Sequence, residues 1–105
     1  MNVGATKTIK LETTDTDWDF DTAVEAALIV HVNKKKYLTY KKSDHTLIVD
    51  TDPKKASAFI TRGESLKLVP GMLGIELYVQ KNNTEHGISL YLEVETIKPS
   101  FTTNL

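Results

Sequence analysis

Four aspartates alternate along one short stretch: Asp15, Asp17, Asp19 and Asp21. In an extended chain, side chains two apart share a face. Gathered carboxylates are the ligands a hard cation such as calcium takes. The calcium-loop signature also needs a glycine at its sixth position and a later bidentate glutamate. Position six counted from Asp15 is Phe20, so the signature fails. The plainer reading is an acidic outer strand face, held down by Trp18 and Phe20 on the opposite side. No metal and no cofactor is expected.

The other chemistry-bearing types are scattered. His31, His45 and His86 lie in separate segments, with neither His-x-His nor His-x-x-x-His spacing. The serines Ser43, Ser57, Ser65, Ser89 and Ser100 include no Gly-x-Ser-x-Gly elbow. Gly63 and the Gly71/Gly74 pair match neither phosphate-binding glycine fingerprint. No catalytic constellation is visible, and no enzyme is expected.

Two surface patterns remain. Lys34, Lys35 and Lys36 precede Tyr37 and Tyr40, a basic stretch with aromatics of the kind single-strand binders use. The chain carries 13 Lys+Arg against 14 Asp+Glu, a net charge of −1. A dedicated nucleic-acid binder is usually clearly basic, so a solvated turn is the better reading and no nucleic acid is expected as a partner. Trp18, Tyr78 and Tyr91 suggest an aromatic strip for sugar or protein contact, and cross-strand pairing accounts for the tyrosines equally well. Asn82-Asn83-Thr84 matches the glycosylation sequon and reads as a hairpin turn. Charge is uneven: residues 1–33 are acidic and residues 34–55 basic, so Asp15, Asp17, Trp18, Asp19, Lys34, Lys35, Lys36, Tyr78 and Tyr91 form the candidate interaction surface.

The elements that would position these residues are strands. In 66–79, LKLVPGMLGIELYV, a Pro-Gly turn separates two alternating runs. Leu73, Ile75, Leu77 and Val79 fall on one face, and Ile88, Leu90, Leu92 and Val94 repeat the pattern after 82–87. An antiparallel hairpin with one buried face follows. Earlier strands are expected over 6–13, 23–32, 37–42, 46–51 and 55–61. Turns fall at 33–36, at 43–45 and at 62–65, and 66–69 leads into the last hairpin.

Two segments carry a competing helix signal. Thr22-Ala-Val-Glu25 has capping-box spacing, and Asp52-Pro53 is a plausible N-cap with proline at the first helical position. Strand is preferred for 23–32 because 28–32 alternates and is rich in β-branched residues; 53–59 is left between strand and helix. About seven strands with regular turn signals point to an all-β fold: a two-sheet antiparallel sandwich, immunoglobulin-like, with at most one short helix. A single domain is expected over 1–99, with a tail at 100–105.

Composition agrees with such a domain. The 105 residues are 40% hydrophobic and 26% charged. With no cysteine, disulfides and thiolate sites are excluded. The N-terminal stretch lacks the apolar core of a signal peptide, and the longest apolar run, 26–30, is far too short to cross a bilayer. No membrane partner is expected, and the product is expected to be cytoplasmic or assembled from the cytoplasm.

Segment 55–99, KASAFITRGESLKLVPGMLGIELYVQ…HGISLYLEVETIKP, resembles the small β-sandwich modules of tailed-phage and prophage structural proteins. The N-terminal module of upper baseplate proteins is one example. The shared order is an alanine-rich strand (Ala56, Ala58), Thr61, Glu64, Leu66 and Leu68, Pro70-Gly71, then the alternating and closing strands. Residues 6–11 and 21–32 fit the opening strands. A baseplate protein would continue past Leu105 into a receptor-attachment region, so a stand-alone small virion protein is the expected form. The resemblance implies a structural protein of the tail, baseplate or neck, located in the virion. Its implied partners are other particle proteins or further copies of itself, and it implies no catalytic residues. A carbohydrate- or ligand-binding sandwich is the alternative.

Overall fold

Where apolar residues alternate with polar ones, the chain forms strands. The computed structural model describes residues 1–12, 20, 22–51, 54–83 and 87–99. Among these, the strands are β1 (Lys7–Glu12), β2 (Glu25–Val32), β3 (Lys35–Lys41), β4 (Ile48–Thr51), β5 (Lys54–Ile60), β6 (Gly71–Gln80) and β7 (Ile88–Ile97). One helical turn, α1 (Arg62–Ser65), joins β5 to β6. The strands make two antiparallel sheets, ordered β1-β5-β4 and β3-β2-β6-β7. The fold is therefore an all-β two-sheet sandwich with one short helix, and β2 lies in the larger sheet between β3 and β6.

The core is the set of inward positions. β2 contributes Ala26, Leu28, Val30 and Val32, and β6 contributes Leu73, Ile75, Leu77 and Val79, all buried. Ile9 of β1, Ala56, Ala58 and Ile60 of β5, and Leu38 and Tyr40 of β3 join the same cluster. Burying each large aliphatic side chain stabilises the fold by about 1.5–3 kcal/mol relative to exposure. That gain selects strand for β2 over the helix its capping-box spacing allows. A helix would scatter these four side chains around its circumference, whereas a strand sends them to one side.

Three connections differ from the sequence expectation. The one expected at 43–45, closing a hairpin between strands at 37–42 and 46–51, runs over 42–47 and crosses from β3 in the larger sheet to β4 in the smaller. The turn expected at 33–36 is only two residues long, Asn33 (φ 51) and Lys34 (φ 67), and Lys35 and Lys36 belong to β3. Two consecutive left-handed residues make the tight turn whose twist matches a hairpin. Asn33 also stitches this turn to β6: its Oδ1 accepts the Met72 N–H at 2.9 Å, and its own N–H donates to the Met72 carbonyl at 2.9 Å. Gly71 (φ 152) lies against the Asn33 amide, where a Cβ would collide with it.

The turn expected at 62–65 is helix α1. Thr61 caps it: the Thr61 hydroxyl accepts the Glu64 N–H at 3.2 Å, and the Glu64 carboxylate accepts the Thr61 N–H at 3.0 Å. The 53–59 ambiguity resolves as strand from Lys54 onward; Asp52 and Pro53 lie outside the described residues.

The N-terminal segment runs beside the end of β7. Asn2 bridges Lys98 in parallel, and Val3 donates to the Lys98 carbonyl at 2.9 Å. The fully buried Ser65 hydroxyl accepts the Gly4 N–H at 3.0 Å, tying this segment to α1.

Candidate functional site

The larger sheet turns its second face away from the core. Register decides what meets there. His31 of β2 pairs with Gly74 of β6, and Glu76 of β6 pairs with Tyr91 of β7. His31 Nε2 lies 3.0 Å from Glu76 Oε1. The imidazole meets the Tyr91 ring edge-on, with centroids 5.5 Å apart and planes at 88°. The Tyr91 ring in turn lies over Gly74, where a Cβ would collide with its hydroxyl end. A tyrosine folded over a neighbouring strand's glycine restores the packing that the missing side chain gives up.

Two buried polar atoms in this cluster, His31 Nδ1 and the Tyr91 hydroxyl, have no hydrogen-bond partner among the described residues. If Nε2–H donates to Glu76, Nδ1 is left as an acceptor. Beside the cluster, Asn33, Lys34, Met72, Tyr91 and Glu93 line a recess of about 310 Å³. Lys34 and Tyr91, both expected at an interaction surface, thus meet at one recess, with Glu93 as an opposite charge on its wall.

The remaining expected surface residues are dispersed. Lys35 and Lys36 are exposed on β3, and the Lys35 ammonium lies 5.8 Å from the Tyr37 ring centroid. Tyr78 faces outward as expected, but its ring lies over Gly87, whereas Tyr91 lies over Gly74. The ring contact Tyr91 makes is with His31. Asp15, Asp17, Trp18 and Asp19 lie outside the described residues, and so do Asp21 and His86. Among the described residues, no group of three or more His, Asp or Glu is placed to hold a metal ion.

Sequence reasoning missed a second feature, at the rim of the sandwich. Among the described residues, β7 is an edge strand. Its inward row was expected to be buried, yet Leu90, Leu92 and Val94 are 43%, 44% and 43% exposed. Alternation shows which face a side chain takes, not whether the opposite sheet reaches far enough to cover it. Among the described residues the smaller sheet has three strands and the larger has four. At the other edge, β3 presents Lys35, Lys36 and Lys41, all exposed. The described N-terminal segment runs beside β7 only from Thr96 to Lys98.

Among the described residues, three groups have shifted titrations. The Met1 ammonium, 2.6 Å from Glu95, holds that carboxyl below its ordinary value against partial burial, and Lys7 adds to the effect. Burial works to raise Glu25, but hydrogen bonds from Ser43 and Ala26, with the Lys41 charge, outweigh it and lower the carboxyl. Burial first, and the Glu64 charge second, push the Tyr40 phenol up.

No family model, no curated protein and no solved structure matches this chain.

Proposed function

We propose that this chain is a non-enzymatic assembly module acting through protein–protein contacts, of the kind that builds tailed-phage and prophage particles. The observation that carries this reading is the β7 rim, an edge strand whose inward leucines are nearly half exposed. An edge strand offers unpaired backbone N–H and C=O groups, and proteins normally shorten, charge or cover such edges. β7 is ten residues long, and among the described residues no strand lies on its outer side. Strand addition would supply hydrogen bonds to its backbone and cover for its leucines together. The phage setting rests on the resemblance of segment 55–99. The test is Leu90→Lys with Leu92→Lys, followed by sedimentation velocity over a range of concentrations. Wild-type chain is expected to gain mass with concentration and the double variant to stay single; equal behaviour of the two would remove the β7 rim from the account.

A second reading is a ligand-binding module, with carbohydrate as the ligand. The recess at Lys34, Tyr91 and Glu93 favours it, because aromatic rings with flanking polar groups suit sugars. Titration against a glycan panel, with Tyr91→Ala as the control, tests it. Signal lost in that variant would support it, and silence across the panel would count against it.

A further inference from the structure

Resting on the assembly reading, we infer that the partner of the β7 edge is the β3 edge of a second copy of this chain, so that copies join head to tail into one continuous antiparallel sheet. Strand directions permit this over the stretch of β3 that ends at Tyr40; beyond it the Lys41 N–H donates to Thr46 Oγ1, and the Lys41 carbonyl accepts the Thr46 and Leu47 N–H groups. The larger sheet has four strands in alternating direction, with β3 and β7 at its two ends running oppositely. Moving a copy sideways by one sheet width places its β3 antiparallel to β7, with the same face still inward.

The side-chain patterns of the two edges then match in a single register. With Leu92 opposite Leu38 of the next copy, Leu90 faces its Tyr40, and Glu95 faces its Lys35. All of these positions are inward: Leu92, Leu90 and Glu95 pair with Ile75, Leu77 and Leu73 in one sheet, while Leu38, Tyr40 and Lys35 pair with Val30, Leu28 and Val32. Each edge also contains one irregularity. β7 shifts register across Leu73/Gly74, leaving Val94 unmatched, and β3 shifts across Val30/His31, leaving Tyr37 unmatched. In this register the two extra residues fall at adjacent positions, so the inward–outward alternation comes back into step beyond them. A one-residue slip elsewhere would send every leucine to the wrong face.

Charge selects this pairing over the two symmetric ones. A β3–β3 seam would gather Lys35, Lys36 and Lys41 from both copies, and a β7–β7 seam would gather Glu93 from both. The β3–β7 seam sets Lys36 against Glu93, while the Glu95 carboxylate is already held by the Met1 ammonium and Lys7 of its own chain. Like charges opposed across strands are destabilising and opposite charges are favourable. The lysines that guard β3 against its own kind therefore leave it open to an acidic edge. Contacts of this kind repeat, giving a ring or an open filament.

The experiment is a charge swap on the full chain, using the exposed Lys36 and Glu93. Lys36→Glu and Glu93→Lys are prepared separately, shown by circular dichroism and thermal melting to keep the wild-type fold, and followed by sedimentation velocity alone and mixed. Each variant alone is expected to associate about tenfold more weakly than wild type, because its own two edges now repel. The equimolar mixture is expected to recover wild-type association, since each variant's β7 then meets a complementary β3. Undiminished association of Lys36→Glu alone would point to a β7–β7 seam and overturn the head-to-tail pairing while leaving the assembly reading standing. A mixture no better than its components would overturn it too. Wild-type chain that stays single at every concentration would overturn self-association itself, and with it this inference.

Discussion

At Gly74 a side chain has no room, because the Tyr91 ring occupies the space above it. Gly74→Ala is expected to push the ring outward, break its edge contact with His31 and destabilise the fold by about 1–3 kcal/mol. In a Tyr91→Ala background the same change is expected to cost much less, and urea unfolding of the four-member cycle measures that coupling. Lys34 holds φ 67 without being glycine. Left-handed backbone costs about 1–2 kcal/mol for such a residue, of which glycine's extra entropy in the unfolded chain returns roughly half. Lys34→Gly is therefore expected to raise stability by about 0.5–1 kcal/mol, read from the urea midpoint. Glu95 sets a pH dependence. Its folded pKa lies below the ordinary 4.5, so its contribution is full above that value and is lost as pH falls through the lower folded value. Glu95→Gln is expected to be less stable than wild type at neutral pH by under about 1 kcal/mol, because the pair is partly exposed. The difference should close in acid, which urea midpoints across pH will show.

At the scale of elements, two capping boxes spell almost the same signal and only one makes a helix. Thr22…Glu25 leads into an alternating run whose burial as a strand outweighs a cap. Thr61…Glu64 leads into α1, and just past its end Leu66 is exposed while Leu68 is buried, so no competing apolar strand face exists. A four-residue helix has no periodicity to read, and its cap is the one sign of it in the chain. The strands β2, β5, β6 and β7 were legible because each presents three or four apolar residues at period two. The His31–Glu76 contact was not, because it spans 45 positions and depends on the β2–β6 register. The exposure of Leu90 and Leu92 was hidden for a related reason: it depends on the reach of the opposite sheet. α1 also anchors the N-terminal segment through Ser65. Ser65→Ala would leave the Gly4 N–H without its acceptor in a buried place, at an expected cost of about 1–3 kcal/mol. Thermal and urea unfolding would register it, and exchange of the Gly4 amide should quicken in the variant.

For the whole molecule, the two-sheet sandwich is closed at its centre and open at its rim. Its core is apolar and continuous, while the larger sheet ends in a basic edge at β3 and an acidic, half-covered edge at β7. An object with complementary ends and an even number of antiparallel strands is suited to repetition. The measurement that tests this most directly is the absolute mass of the full chain in solution, by light scattering across concentration at low and high salt. Mass that climbs in whole-chain steps with concentration, and falls back as salt screens the lysine–glutamate seam, is the result this account predicts. The mass of a single chain at every concentration and salt would contradict it.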